Sequence, residues 1–420
     1  MDFQKIYAEF KAADAKHDLE KMSEIISQIN EHCATLSQAG RANKIPQSAI
    51  YIAKYINVLI YHTMQLLNNG KGDKVIIYLL SISKFSNQSF NLFFYLRYFL
   101  GRALYQTGDY QTAEKIFCRY EEARDEKFGD FDELSMFYRA NCCALLGYFN
   151  VAAQLYEFIL KIKSDFPEVK KNLKLVQSGM NKNLVREVKS LWKFPDWRDV
   201  PIFINARDRL GVLKKLIDWL FDAGYRNLII LDNNSTYPLL LEYYSALQKD
   251  SRVKIVRLGK NLGYKALWLS GVLEQMKIST PYVYTDPDVL PIERCPKNFV
   301  KRLMEILDNN HELRKVGLGL VWEDVTFFDK KETQQRESNF YVGSQVDNNL
   351  YYAQVDTTFA LYANVRHYSL RFSLRTTGNL MAYHLPWYFD YDNLPDDEKY
   401  YMMHTDKNSV TSVRKFLEAT

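Results

Sequence analysis

The chain has little cysteine, and neither its cysteines nor its histidines are spaced to hold zinc. The 420 residues include five cysteines, which are irregularly spaced and odd in number: Cys33, Cys118, Cys142, Cys143 and Cys295. There is no C-x-x-C pair, and none of the seven histidines belongs to an H-E-x-x-H motif. We therefore expect reduced thiols in a cytosolic protein, and a zinc site has no support.

Long apolar runs are also missing. No stretch approaches the roughly 20 apolar residues of a membrane-spanning helix, and the N-terminal sequence MDFQKIYAEFKAADAKHD has no apolar core after a basic region. We expect a cytoplasmic protein, attached at most to the inner face of a membrane.

The glycine motifs of common nucleotide-binding enzymes do not follow any predicted strand. The absence of G-x-G-x-x-G and G-x-x-x-x-G-K-[ST] removes the main support for a dinucleotide-dependent oxidoreductase or a P-loop kinase. The net charge of +5 is compatible with an anionic substrate or an anionic membrane surface, but it does not indicate nucleic acid as a partner.

Residues 1–190 have a helical pattern, with apolar residues recurring at intervals of three and four. Within them, residues 101–120 align on residues 141–160. The matched pairs are Gly108 and Gly147, Tyr110 and Phe149, Ala113 and Ala152, and Phe117 and Tyr156. Small residues and a turn glycine at these positions are what a repeated helical hairpin requires. The segment resembles the tetratricopeptide repeat, and Pro167 falls near that repeat's terminal proline.

Two features depart from that repeat. An insertion around residues 124–132 stretches the period, and the earlier candidates Gly72 and Asp73 match poorly. A helical bundle without repeats is the alternative. In either case we expect a surface for a protein partner or for self-association.

The pattern changes after residues 189–199, which contain Pro195 and several aromatic residues. We place the domain boundary there and a second domain at residues 198–420. Predicted strands VPIFINA, NLIILD, RVKIVRL and PYVYTD alternate with predicted helices at 210–223, 238–248 and 263–276. Such alternation predicts an α/β fold with a mostly parallel sheet, whose ligands bind at the carboxyl ends of the strands.

Polar residues follow each predicted strand of this domain. The most informative segment is PYVYTDPDVLP, in which Asp286 and Asp288 end a buried strand. Two other Asp-x-Asp triplets occur, Asp130/Asp132 and Asp390/Asp392, but neither follows a strand pattern. A hard divalent ion needs oxygen ligands, so Asp286 and Asp288 are the expected metal site.

The ordered motifs FINARDR, LIILDNNST, GKNLGY and YVYTDPDVLP resemble the nucleotide-sugar-binding half of GT-A fold glycosyltransferases of the family 2 type, found in bacterial surface-polysaccharide pathways. The resemblance covers residues 200–291 well and continues more loosely to residue 392. It implies a GT-A domain with a Rossmann-like mixed sheet.

The resemblance also implies roles for individual residues. Those expected at the nucleotide sugar are Asn205, Arg207, Asp232, Asn261, Gly263 and Asp286. Asp286 and Asp288 would bind ribose and a Mn²⁺ or Mg²⁺ ion, and His384 would complete the metal shell. For Asp232 the alternative is an Asx turn that ends a strand, and for Asn261 with Gly263 it is a plain turn.

Inverting sugar transfer needs a carboxylate that removes the proton of the acceptor hydroxyl. The candidates lie between the metal motif and the C-terminal loop. Asp356, in the V-D-T-T-F segment, is the first choice, and Glu323 and Asp324 after the predicted strand VGLGLVW are the others. A retaining enzyme needs no such base, and the residues do not decide between the two outcomes.

The sequence thus favours a metal-dependent glycosyltransferase that moves a sugar from a nucleotide-diphosphate sugar, with a UDP-sugar expected, to a glycan, a lipid-linked glycan or a protein. Two alternatives stay open. One is an interaction protein whose helical repeats bind a partner while the second domain is inactive. The other is a nucleotidyltransferase that makes the sugar nucleotide, although ARDRLG is a poor version of that class's first loop.

Overall fold

A computed structural model describes residues 2–16, 18–39, 44–76, 79, 90–128, 131–188, 192, 194–310, 313–327, 330–363, 365, 368, 370 and 372–405. The chain divides into two compact units, one within residues 1–191 with 342–344 and the other within residues 192–341 and 345–420. Residues 189–191 and 193 of the predicted boundary segment lie outside the described part. No helix in that part has both the length and the apolar character needed to cross a bilayer.

The first unit is helical. Its helices are α1 (Phe3–Ala15), α2 (Leu19–Gln38), α3 (Gln47–Asn68), α4 (Phe90–Thr107), α5 (Tyr110–Phe128), α6 (Glu133–Leu145), α7 (Phe149–Ile162) and α8 (Pro167–Gln177). Residues 72–76, where the repeat signal was poor, are helical as well.

The aligned segments of the sequence form two equivalent helical hairpins. Gly108 joins α4 to α5 and Gly147 joins α6 to α7, both at positive φ (92° and 84°), where a side chain would be strained. The matched small and aromatic residues are all fully buried between the helices: Ala113, Ala152, Phe117 and Tyr156. The first unit is therefore built of stacked hairpins in this region.

After α8 the chain runs back across the hairpins as an irregular segment, residues 181–188. The side-chain amide of Asn172 donates to the Val185 carbonyl at 2.8 Å and accepts from the Val185 amide at 2.7 Å. Asn141 also donates to that carbonyl, at 3.1 Å. Because both asparagines are fully buried, these bonds satisfy groups that water does not reach.

The second unit is built on a mixed sheet. In the described part of the chain its strand order is β3-β2-β1-β4-β10-β6-β11-β9-β8, with β5-β12-β7 in a smaller sheet. The strands are β1 (Ile202–Ala206), β2 (Leu228–Asp232), β3 (Val253–Arg257), β4 (Tyr282–Thr285), β5 (Val289–Pro291), β6 (Lys315–Gly317), β7 (Gly319–Leu320), β8 (Gln345–Asp347), β9 (Leu350–Tyr352), β10 (Ala360–Tyr362), β11 (Ser373–Thr376) and β12 (Met381–His384).

The first four strands are parallel to one another, and β10 joins them to the remaining strands in antiparallel pairing. The helices of this unit are α9 (Leu210–Asp222), α10 (Pro238–Leu247), α11 (Ala266–Leu269), α12 (Val272–Gln275), α13 (Phe299–Asp308), α14 (Lys330–Ser338) and α15 (Asp396–His404). The prediction of a helical unit followed by an α/β unit with a mixed sheet agrees with this architecture.

Three elements of the second unit differ from the sequence-based prediction. The helix predicted at 263–276 is a 3-10 turn followed by α11 and α12, because Gly271 adopts a left-handed conformation (φ 69°) between them. The strand predicted in VGLGLVW is divided into β6 and β7, which belong to different sheets. The sequence MAYHLPWY predicts a loop around His384, whereas His384 is the last residue of β12.

Candidate functional site

The site lies where the sheet changes direction. Strand β1 pairs with β2 on one side and with β4 on the other, so the chain leaves β3 and crosses to the far side of β1. In open α/β sheets, the point where the strand order reverses has a crevice at the carboxyl ends of the strands. Ligands bind in that crevice. Asn205 on β1 and Asp286 after β4 meet at this point, with 3.4 Å between the Asn205 amide nitrogen and Asp286 Oδ1.

Asp286 is fixed by two further contacts to the segment before β10. Its backbone amide donates to the Thr357 carbonyl at 3.1 Å, and the Thr357 hydroxyl donates to its Oδ2. Burial and the neighbouring Asp288 raise the pKa of Asp286, although the bond from Thr357 opposes this. Asp286 is therefore a carboxyl that its neighbours hold in place, and a cation bound beside it would stabilise its ionised form.

Asp288 is buried and paired with Arg209, which lies between β1 and α9. Arg209 donates through Nη1 to Asp288 Oδ2, and its Nε donates to both oxygens of Glu398 on α15, at 2.9 and 3.0 Å. Burial opposes the ionisation of Asp288, but the charge of Arg209 holds the Asp288 pKa below its usual range. The two carboxylates and the guanidinium form a buried ionic cluster, in which the cation offsets desolvation of the acids.

His384 is the third predicted metal ligand, and β12 brings it next to Asp288. Its Nε2 lies 3.6 Å from Asp288 Oδ2, and its ring packs 4.8 Å from that of Trp387, measured between centroids. Burial lowers the pKa of His384 in spite of the nearby Asp288 charge. A neutral imidazole is the form that binds a metal ion.

The chemistry of these donors suits an ion that is only partly enclosed by protein. Two buried atoms, Asp288 Oδ1 and His384 Nδ1, have no hydrogen-bond partner among the described residues. In the same part of the chain, no group of three or more His, Cys, Asp or Glu side chains is arranged to hold a metal. Mg²⁺ and similar ions commonly take one or two carboxylates and complete their shell with water and substrate phosphate. Asp288 would supply such a carboxylate, and His384 would supply a ring nitrogen beside it.

The other two Asp-x-Asp triplets lie in different surroundings. Asp130 is outside the described residues, and Asp132 caps α6 by accepting from the amides of Leu134 and Ser135 at 3.1 and 3.2 Å. Asp390 closes an exposed turn by accepting from the Asp392 amide at 3.1 Å. Asp132, Asp390 and Asp392 do not stand at the end of a sheet strand.

Asp232 ends β2 but its carboxylate is turned inward. The side chain is fully buried, Oδ1 accepts from the Ser235 amide at 3.2 Å and from the Tyr244 hydroxyl at 3.3 Å, and Oδ2 pairs with Arg257 Nε at 2.5 Å. The bond from Ser235 lies three residues on, not the two of an Asx turn, but it likewise holds the turn that follows the strand. A contact between Asp232 and a nucleotide stays a prediction.

Asn261 and Gly263 form the turn that borders the crevice. Asn261 Oδ1 accepts from the Gly263 amide at 3.0 Å, and Gly263 has φ of 65°. Asn233 holds this turn by accepting from the Leu262 amide at 2.7 Å and donating to the Gly263 carbonyl at 3.1 Å. The Gly263 carbonyl also lies 3.4 Å from the Asn205 amide nitrogen, so the turn and β1 meet at one place.

Arg207 points away from that contact. Its guanidinium donates to the His404 carbonyl at the end of α15, at 3.1 Å, and its Nε lies 3.7 Å from Asp208 Oδ2. A role for Arg207 at the nucleotide therefore stays a prediction.

Among the three candidate bases, Asp356 is the one whose segment contacts the Asp-x-Asp motif. It precedes Thr357, which binds Asp286, and its side chain is exposed. The Tyr368 hydroxyl donates to Asp356 Oδ1. The Tyr368 ring lies 5.3 Å from the buried amine of Lys315. Asp356 is therefore an exposed carboxylate with one tyrosine hydroxyl bound to it.

Glu323 and Asp324 are also exposed, on the segment after β7. Asp324 accepts from the Tyr388 hydroxyl at 2.8 Å, and Glu323 accepts from the Trp322 amide at 3.2 Å. Among the described residues, neither of these two acids is hydrogen-bonded to Asp286 or Asp288. Asp356 differs from them because its neighbour Thr357 bonds directly to Asp286.

Sequence reasoning missed Arg209, Glu398 and Thr357. Arg209 was visible in FINARDRLG, because the residues that follow the first strand of an α/β sheet face the ligand crevice. Glu398 is separated from Arg209 by 189 residues, and no local pattern predicts that pairing.

Neither a scan of protein-family models nor a search of curated proteins found a match. Among solved structures, the chain has a low similarity to a mutant of the O-GlcNAc transferase of Thermobaculum terrenum, with a TM-score of 0.26 and 12% identity. The alignment covers 49% of this chain and 42% of that one.

Proposed function

We propose that this protein is a metal-dependent glycosyltransferase that moves a sugar from a nucleotide-diphosphate sugar, with a UDP-sugar as the expected donor, to a hydroxyl of a glycan, a lipid-linked glycan or a protein. The observation that carries the proposal is the position of Asp286 and Asp288. They follow the central strand β4 at the point where the sheet changes direction, opposite Asn205 of β1.

The residues at this point suit the parts of a sugar nucleotide. Asn205 and the turn at Asn261 and Gly263 offer amide and carbonyl groups of the kind that bind a base or a ribose. Asp288 and His384 would hold the Mn²⁺ or Mg²⁺ ion, and the ion would neutralise the charge of the leaving diphosphate. A tightly held Asp286 keeps its carboxyl directed to the same crevice.

The transfer breaks the bond between the anomeric carbon and the diphosphate oxygen and forms one from that carbon to the acceptor oxygen. Asp356 accepts the hydroxyl proton in an inverting reaction, and the nucleoside diphosphate leaves with the electron pair of the broken bond. The exposed carboxylate of Asp356, with the Tyr368 hydroxyl bound to its Oδ1, supports this assignment. Glu323 and Asp324 are the other candidates.

We assign no part of the chemistry to the described residues of the first unit, whose stacked hairpins offer a surface for binding. We assign to this unit the binding of the acceptor, of a partner protein or of a second copy of the chain. A peripheral position at an anionic membrane surface is compatible with the net charge of +5.

The first test is a thermal-shift titration of the full chain with UDP and UDP-sugars, with and without MnCl₂. A ligand that binds only the folded state raises the melting temperature by mass action. The metal-dependent shift should disappear in Asp288→Asn and persist in Asp392→Asn, which changes an exposed turn. Equal losses in both variants would contradict the choice of Asp288.

Product analysis separates the enzyme classes. Release of a nucleoside diphosphate from the donor that gives the shift supports the glycosyltransferase, whereas release of pyrophosphate from a sugar phosphate and a nucleoside triphosphate indicates a nucleotidyltransferase. Absence of a shift with every nucleotide would favour an interaction protein with an inactive second unit.

A further inference from the structure

Arg209 provides a protein cation at the carboxylate that the proposed function assigns to a metal ion. It donates through Nη1 to Asp288 Oδ2, and the side chains of both residues are buried, 9% and 7% exposed. A divalent ion at Asp288 would therefore lie beside a positive charge that water screens poorly. The carboxylate of Asp288 can thus be neutralised either by Arg209 or by a divalent ion.

We propose that Arg209 competes with the divalent ion for Asp288, so that this arginine sets the metal affinity of the site. The inference rests on the proposed function, because it concerns the same metal position. Arg209 is a positioning residue here: it acts on the metal through Asp288 and takes no part in bond making.

The structure supplies a second partner to which Arg209 can withdraw. Its Nε already donates to both oxygens of Glu398, at 2.9 and 3.0 Å, and its Nη2 lies 2.9 Å from Glu398 Oε2. The Tyr401 ring lies 5.0 Å from the guanidinium carbon. Release of Asp288 thus requires loss of the Nη1 contact alone, while the charge of Arg209 stays paired with Glu398.

Other groups on α15 fix Glu398 in place for this role. Asp397 accepts from the Gly211 amide at 2.6 Å, at the start of α9. The Tyr400 hydroxyl lies 3.1 Å from that of Thr236, and the rings of Tyr400 and Tyr237 are 5.0 Å apart between centroids. Since α15 is anchored on both sides of Glu398, the acid is a fixed alternative partner.

Asp288 also has a buried oxygen that Arg209 does not satisfy. Asp288 Oδ1 has no hydrogen-bond partner in the described part of the chain, and His384 Nε2 approaches Oδ2 at 3.6 Å. A buried carboxylate oxygen without a partner costs free energy, and a bound cation would satisfy it. These two groups give the incoming ion its protein ligands.

The test is a titration of the full chain with MnCl₂ alone, in which free Mn²⁺ is followed by electron paramagnetic resonance. Arg209→Met should bind Mn²⁺ at least ten-fold more tightly than the natural protein, because the competing cation is gone. Glu398→Gln should bind it at least three-fold more weakly, because the whole charge of Arg209 then falls on Asp288. Competition predicts that these two substitutions change the Mn²⁺ affinity in opposite directions.

Arg226→Met is the matched control. Arg226 forms a similar arginine–aspartate pair with Asp199, 2.6 Å apart, but on an exposed surface, and its removal should leave the Mn²⁺ affinity unchanged. Asp288→Asn should remove the binding in every background.

Unchanged or weaker binding by Arg209→Met would overturn the proposal, and so would the absence of Mn²⁺ binding in all variants. If Arg209→Met does not fold, Glu398→Gln decides alone: weaker binding supports competition, and equal or tighter binding overturns it. Release of nucleoside diphosphate by the natural protein is measured separately. Its presence with unchanged Mn²⁺ affinities would sink this inference and leave the proposed function standing.

Discussion

The amine of Lys315 lies 3.4 Å from the hydroxyl of Tyr362, on adjacent strands at the centre of the large sheet. Lys315 is fully buried, and its amine also lies 4.9 Å from the centroid of the Tyr362 ring. Burial lowers the pKa of Lys315 to about 7, although the charge of Asp356 opposes the shift. The sheet therefore holds an amine that changes charge near neutral pH.

We expect Lys315→Met to be most stabilising at low pH. A lysine whose pKa is lower in the folded state than in the unfolded state destabilises the protein at a pH where it is protonated in both states. This destabilisation decreases as the pH rises above the folded-state pKa of about 7, because the folded state then loses the proton. The stability difference between Lys315→Met and the natural protein should therefore decrease by about 3 kcal/mol from pH 6 to pH 9. Urea unfolding at several pH values measures it.

Lys297→Met is the control for this prediction. The Lys297 side chain is 61% exposed and pairs with Asp222 on the surface, so its effect on stability should be small and should not follow the same curve. A flat difference between Lys315→Met and the natural protein over this pH range would mean that the amine is not desolvated in the folded state.

The close packing of the hairpins gives a second prediction. Gly101 in α4 faces the ring of Phe117 in α5, and a Cβ added at Gly101 would lie 2.8 and 2.9 Å from two ring carbons. Although alanine favours a helix over glycine by about 1 kcal/mol, Gly101→Ala should lower the free energy of unfolding by about 1–3 kcal/mol because the ring must move.

A double variant distinguishes this clash from other effects of the substitution. Phe117→Leu removes the ring atoms that Cβ would meet, so Gly101→Ala should cost less in the Phe117→Leu background than alone. Strictly additive losses would show that the ring does not limit the position.

The fold was largely predictable because its signals are local. Buried strands such as NLIILD have continuous apolar runs, and the hairpin turns at Gly108 and Gly147 require glycine for conformational reasons. The prediction failed where tertiary context decides. The apolar run VGLGLVW reads as one strand, but β6 and β7 pair with different partners, β10 and β11 for the first and β12 for the second.

The site was predictable only in part, for the same reason. Asp286 and Asp288 follow a strand directly, so their place at the carboxyl end of that strand could be inferred from sequence. The partner of Asp288 could not be fully inferred, because Arg209 is 79 residues away and is itself oriented by Glu398 near the other end of the chain. Whether the side chain of an acid such as Asp232 points inward or outward depends on its contacts with Tyr244 and Arg257. A strand pattern in the sequence does not predict these contacts.

The identity of the catalytic base gives a prediction that depends on the proposed function. Asp356→Asn should lower the rate of nucleoside diphosphate release in the presence of acceptor by about 10²–10⁴-fold, because the amide cannot accept the hydroxyl proton. Tyr368→Phe, which removes only the bond to Asp356 Oδ1, should cause a smaller loss in kcat with little change in KM for the donor.

Glu323→Gln and Asp324→Asn are the matched changes at the other candidate carboxylates. Each should retain most of the activity if Asp356 is the base. A large loss in either variant with an active Asp356→Asn would move the base to the segment after β7. Activity in all three variants would favour a retaining reaction, which needs no base at these positions.

The return segment of the helical unit provides the last prediction. Asn172 both donates to and accepts from the backbone of Val185, and its amide nitrogen lies 3.0 Å from Asn141 Oδ1. Asn172→Asp keeps the shape but replaces the donor with a buried charge that faces two acceptor oxygens. We expect a loss of about 3 kcal/mol or more at pH 7, since an unpaired charge is being buried. Gln154→Glu makes the same chemical change on the exposed face of α7 and should shift stability by no more than about 0.5 kcal/mol. Denaturant unfolding followed by circular dichroism measures both, and similar small effects would mean that Val185 is not held by Asn172 in solution.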